Sequence, residues 1–120
     1  MPNHLLKVAL AQIAPVWLNK DKTLEKVASS IEEAASKSCE LIIFGEGLVP
    51  GYPWWLSVTR ASDWDNKIQK EIHAHYLRNA VSVESGDLKT ICELAKKHQI
   101  AIYLGIIERP IDRGDQICPP

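Results

Sequence analysis

The 120-residue sequence predicts an α/β fold, and three observations carry that prediction. Short runs rich in Leu, Val and Ile are apolar at successive positions, the pattern of strands buried on both faces. Between them lie segments whose apolar residues recur every three or four positions, as on one face of a helix. The two kinds of segment alternate, and strand, helix, strand in that order calls for parallel strands joined by right-handed crossovers.

Residues 5–13, LLKVALAQI, form the first strand, broken only by Lys7 and Gln12. After the loop APVWLNKD, the residues Leu24, Val27, Ala28, Ile31, Ala34 and Ala35 share one face of a helix over 22–37. Asp21 is its candidate N-cap, and Glu25, Lys26, Glu32 and Glu33 form its solvated face. Leu41 to Phe44, within 40–45, make the second strand, and Trp64, Ile68, Ile72 and Leu77 space out a helix over 63–80. Ser85 or Asp87 opens a third helix over 87–98, with Leu88, Ile91, Cys92 and Ala95 on its apolar face. IAIYLGII, residues 100–107, is the third strand. The three strands are expected side by side in one sheet, with helices 22–37 and 87–98 on one face of it.

A chain of this length holds one core, and no repeat or linker divides it. The tail RPIDRGDQICPP loses periodicity, so residues 1–113 are taken as one domain and 114–120 as an irregular tail. Lys plus Arg is 14 and Asp plus Glu is 15, spread along the chain, which argues against nucleic acid or an anionic membrane as partner. Apolar content is 46%, yet no apolar run nears the roughly 20 residues of a membrane helix. The opening MPNHLLKVALAQI is taken as a strand and not a signal peptide. Cys39, Cys92 and Cys118 are odd in number and widely spaced, which fits reduced thiols and a cytoplasmic location. APVWLNKD has no glycine, so neither a dinucleotide fingerprint nor a phosphate loop follows the first strand, and no cofactor is expected. His73 and His75, two apart on a helix, point to different faces and make no metal pair.

Chemistry concentrates in CELIIFGEGLVPGYPWW, residues 39–55. Glu46 follows the second strand between Gly45 and Gly47, at the strand end where open α/β sheets place ligands. Glycines permit a tight turn and close approach, and Pro50 and Pro53 stiffen the loop. Partly apolar surroundings disfavour a carboxylate's charge and suit it to general-base work. Taken alone, the pattern fits equally a solvated loop glutamate or one capping the next helix. Trp54 and Trp55 could line a pocket with Tyr52, or could serve as core or as a contact between subunits.

The segment resembles the active-site signature of the nitrilase branch of the carbon–nitrogen hydrolases, with Leu41-Ile42, Phe44, Glu46, Val49 and Gly51-Tyr52-Pro53 at the matching positions. KVALAQIAPVW looks like that family's first strand, and ELAKKHQIAIYLGIIERP like its helix and third strand. One position departs: where the family usually has Gly at the preceding helix end, this chain has Ser38, which must strain into or forgo the left-handed cap that Gly accepts.

The resemblance implies the N-terminal part of a nitrilase-like α-β-β-α sandwich, strands alternating with helices. The second sheet of that sandwich is not in this chain, so one sheet face should be exposed and apolar. It also implies a hydrolase of non-peptide carbon–nitrogen bonds that turns a nitrile into a carboxylic acid and ammonia through a Cys thioimidate, with Glu46 as base and Tyr52 and Trp54 beside the substrate. Pro-Gly-Tyr-Pro after the glutamate favours nitrilases over amidases. The implied partners are a small nitrile or amide and, in the complete protein, further copies of itself.

The family's Lys and nucleophilic Cys are not matched. No lysine follows Lys97, which sits on a predicted solvated helix face, and Cys118 precedes Pro-Pro instead of the residues that mark the nucleophile. Cys39 and Cys92, beside a strand and on an apolar helix face, are taken as core residues. The chain alone is therefore expected to be inactive. The alternatives are a truncated non-catalytic protein that docks on full-length subunits, an amidase or cyanide-hydrolysing relative, and a small flavodoxin-like binding module, which the missing phosphate loop weakens.

Overall fold

A computed structural model of the chain describes residues 4–60 and 62–111. The tail 114–120 and Cys118 lie outside the described residues. The strands β1 (Val8–Ala11), β2 (Leu41–Phe44) and β3 (Ala101–Tyr103) pair in parallel in that order, with β2 central. Val8 stands opposite Leu41 and Leu41 opposite Ala101, so the rows run straight across the sheet. One sheet with these three strands is what the apolar runs predicted. The outer strands are shorter than expected, covering Val8–Ala11 within 5–13 and Ala101–Tyr103 within 100–107.

Successive strand residues face opposite ways, so the rows divide between two surfaces. Ala9, Ile42 and Ile102 make one row, and Phe44 follows on the same face. These residues join one buried cluster with Val27, Ile31 and Ala34 of α1 (Lys20–Ser36) and Ile91 of α3 (Lys89–His98). Full burial of a Val, Ile or Phe side chain such as Val27, Ile31 or Phe44 contributes about 1.5–3 kcal/mol. α1 and α3 also pack on each other, closing the layer. The opposite row is Leu10, Ile43 and Tyr103, of which Leu10 is 78% and Tyr103 70% exposed.

The caps differ from the expected ones. Asn19, not Asp21, caps α1 by accepting from the Lys22 N–H, because the helix begins at Lys20, two residues before the expected start at 22. Neither Ser85 nor Asp87 caps α3. Asp87 instead accepts from the Ser82 N–H at 2.7 Å and from the Lys20 ammonium at 2.8 Å, tying the start of α1 to the loop before α3. Burial would raise its carboxyl, but Lys20, the Ser82 amide and Arg109 outweigh that and hold it below its ordinary value.

α1 ends in a Schellman motif, with Cys39 N–H donating to Ala34 O and Ser38 N–H to Ala35 O. Ser38 adopts φ 61° there, so it strains into the cap instead of forgoing it. Gln99, at φ 50°, ends α3 in the same way, with Ile100 N–H donating to Ala95 O and the Ile100 side chain buried.

The helix expected over 63–80 is α2 (Lys67–Arg78), capped by Asn66, which accepts from Ile68 and Gln69. Its supposed apolar stripe does not face the core: Trp64 is 97% exposed, Ile68 is exposed, and the buried residue is Tyr76. The reason is position. No residue of α2 joins the buried cluster through which α1 and α3 cover the sheet. Among the described residues no helix is long and apolar enough to cross a membrane.

Candidate active site

β2 runs out of pairing at Phe44, and the chain turns through Gly45-Glu46-Gly47. The turn is anchored on both sides by buried residues, Phe44 before it and Leu48, Val49 and Pro50 after it. Gly47 adopts φ 60°, a conformation a side chain would strain. Gly51 N–H donates back to Gly47 O at 3.0 Å and closes the loop on itself. Val49 then bridges in parallel to Ile106: its N–H donates to Gly105 O at 3.3 Å, and Ile107 N–H donates to Val49 O at 2.9 Å. The chain beyond β3 is in turn held on its other side, where Val81 N–H donates to Ile107 O and Arg109 N–H to Val81 O. Glu46 thus rides on a fixed turn at the carboxyl end of the central strand, with its side chain exposed.

Tyr52 lies against that turn. A Cβ placed on Gly47 would be 3.6 Å from Tyr52 Cα and 3.7 Å from its ring. Both Tyr52 and Trp54 are exposed, whereas Trp55 is buried edge-on between Trp17 at 5.3 Å and Tyr76 at 4.6 Å. The two tryptophans therefore part ways: Trp55 is core, and Trp54 leans edge-on against Trp17 at 5.4 Å with its other side in solvent.

Beneath them Gly51, at φ 135°, receives the Trp17 indole so closely that a Cβ would meet its Nε1 at 3.0 Å. The Tyr76 hydroxyl donates to Gly51 O at 2.8 Å. Burial, and then the nearby Tyr52 phenol, push the Tyr76 hydroxyl up to about 12.

Glu46 and Tyr52 are expected to share a concave site at this strand end. A depression of about 330 Å3 lined by Leu10, Ala11, Gln12, Ile43, Phe44 and Gly45 reaches the residue before Glu46, but neither Glu46 nor Tyr52 lines it. A larger cavity, about 400 Å3, lies between β1 and α1, away from the turn. Cys39 is half-buried against the core as expected. Cys92 is not a core residue: it is exposed, and Leu94 packs on the core in its place. Lys97 is exposed on α3. Among the described residues no group of three His, Cys, Asp or Glu converges to hold a metal.

Three residues that shape this region escaped the sequence reading. Trp17 had a signal, since it lies just beyond β1 and so at the same sheet end as Glu46. Gly105 stood in the family-like run that ends in Gly-x-x-Glu-Arg, with no role given to it, and Tyr76 had no signal, because it acts on backbone far from it in sequence.

The family model for carbon–nitrogen hydrolases matches residues 7–118. The chain belongs to the carbon–nitrogen hydrolase family. It is 36% identical over 103 residues to an arylacetonitrilase of Aspergillus oryzae, a match covering 86% of this chain and 29% of that protein. A nitrilase of Meyerozyma guilliermondii is 37% identical over 109 residues, with 91% of this chain and 32% of that protein covered. An aliphatic nitrilase of Rhodococcus rhodochrous is 35% identical over 108 residues, covering 88% and 28% respectively. This carbon–nitrogen hydrolase chain thus spans about three-tenths of the length of the curated relatives it matches. All of the turn that bears Glu46 falls within the family match.

Proposed function

We propose that this carbon–nitrogen hydrolase chain is the base-bearing N-terminal part of a nitrilase, acting on a small-molecule nitrile, with Glu46 as general base and Tyr52 and Trp54 beside the substrate. The observation that carries the reading is the position of Glu46, alone on a pinned turn at the carboxyl end of the central parallel strand. The nitrilases among its relatives support the substrate class.

In the reaction a cysteine thiol of the complete enzyme adds to the nitrile carbon, and Glu46 takes the thiol proton and passes it to the nitrogen, giving a thioimidate and restoring the Glu46 carboxylate. Water adds to that carbon and Glu46 carries its protons to the nitrogen, so that the C–N bond breaks, ammonia leaves and a thioester remains; a second water then cleaves the C–S bond, releasing the carboxylic acid and restoring the thiol. A lysine would steady the negative charge that develops on nitrogen. Neither that lysine nor that cysteine is matched among these 120 residues, so the chain by itself is proposed to be inactive.

The α-β-β-α sandwich belongs to the same proposal, with a second sheet laid over the row of Leu10, Ile43 and Tyr103. The complete protein is proposed to be a cytoplasmic homo-oligomer. Free Cys39 and Cys92 suit a reducing compartment, and exposed Trp64 and Ile68 offer an apolar contact between copies.

The test is Glu46→Gln in a complete enzyme carrying this segment, read by ammonia release and circular dichroism. The fold should persist while turnover falls by about two to four orders of magnitude, the contribution of a positioned base. Near-full turnover would leave Glu46 a structural residue.

A further inference from the structure

Gly105 follows β3 and lies directly against the turn that carries Glu46. A Cβ at this position would stand 2.3 Å from Gly45 O, 2.8 Å from Gly47 N and 2.9 Å from Glu46 Cα. These are backbone atoms, and none can swing aside as a side chain could. Gly105 does not adopt a left-handed φ, so space and not conformational freedom is what requires glycine here. The contact is also held shut, since Gly105 O accepts the Val49 N–H and Val49 O accepts the Ile107 N–H. Gly45, on the other side of the contact, is different: a Cβ there would meet nothing within 4 Å.

We propose that Gly105 is the positioning residue for Glu46: its missing side chain lets the chain beyond β3 lie flat against the turn and sets where the carboxylate stands above the sheet. A methyl group at 105 would lift the turn and carry Glu46 away from the reacting atoms without touching the substrate itself. The proposal rests on Glu46 being the base.

The experiment is a double-mutant cycle in a complete nitrilase carrying this segment, with Gly105→Ala, Glu46→Gln and both together, measured for kcat and KM. Gly105→Ala should lower kcat by about 10- to 100-fold, the scale of an ångström-sized misplacement, with KM little changed. Because Gly105 acts through Glu46, adding Gly105→Ala to Glu46→Gln should cost no more than about threefold further. Losses that multiply would overturn the proposal and leave Gly105 a merely structural residue.

Ile91→Val, a buried change on α3 remote from the turn, is the control for lost stability and should lower the melting temperature while sparing kcat. A comparable loss of kcat in that control would also overturn the proposal. Full turnover by Glu46→Gln would instead sink the base reading itself, which is a separate result. Should Gly105→Ala not fold, hydrogen exchange on the unaltered enzyme decides: the Val49 amide should be protected like those of β2, and exchange at open-loop rates would overturn the clamp.

Discussion

Tyr76 joins two roles in one side chain. Its ring is packed edge-on against Trp55, and its hydroxyl satisfies Gly51 O inside the loop that follows Glu46. Tyr76→Phe keeps the ring and strands a carbonyl, so it should cost about 1–2 kcal/mol in denaturant unfolding at neutral pH. The pH dependence has a definite sign. In the unfolded chain the phenol ionises near its ordinary value of 10, whereas folding pushes it up to about 12. The unfolded state therefore releases its proton first, so the stability tied to the neutral phenol is full below pH 10 and is lost as pH rises toward 12. Tyr76→Phe should flatten that alkaline decline, and an unchanged slope would show that Tyr76 is not its source. At this scale the place of Glu46 just past the second strand could be read from the chain, because glycine and proline punctuate the end of an apolar run. Tyr76 could not, since nothing marks it until folding brings its hydroxyl to Gly51 O, and Gly105 was legible as part of a family-like strand but not its contact with the turn.

Two helices reach the sheet through the same left-handed turn, and neither uses glycine. A left-handed residue with a Cβ costs roughly 1–2 kcal/mol, of which glycine's greater freedom in the unfolded chain takes back a part. Ser38→Gly and Gln99→Gly should therefore each stabilise the protein by about 0.5–1 kcal/mol, seen as a higher melting temperature. No gain at either position would mean that the serine or glutamine side chain offsets its own strain. Among the elements, β2 was legible to the residue because Leu41–Phe44 is apolar throughout and bounded by Glu40 and Gly45. α1 and α3 were legible from their buried stripes, with errors confined to their first turns, where Asn19 and Asp87 find partners that spacing does not reveal. α2 was misread because a helical spacing of Trp64, Ile68, Ile72 and Leu77 says only that a face is apolar. Whether anything covers that face is decided by the rest of the fold.

The molecule has one finished face and one unfinished. α1 and α3 bury one side of the sheet, while Leu10 and Tyr103 stand in solvent on the other. An exposed apolar face of this kind favours association. The 120-residue chain should self-associate as its concentration rises in sedimentation velocity, and Leu10→Lys with Tyr103→Lys should suppress this without lowering the melting temperature. Association that survived both charges would place the contact elsewhere. The exposed face followed from the resemblance and from the apolar strands together; that the three strands share one parallel sheet followed from the alternation of strand and helix, and their order came from the structure.

The bridge from Val49 to Ile106 also links the site to the order of synthesis. A nascent chain that has grown only as far as α2 already holds Glu46, yet Gly105 and Ile107, which fix its turn, have not been made. Closing a loop of that length costs entropy before any contact returns it, so docking of β3 comes late. The carboxylate is made early and its turn is fixed late, and a chain cut before its third strand would carry the whole motif with nothing to hold that turn.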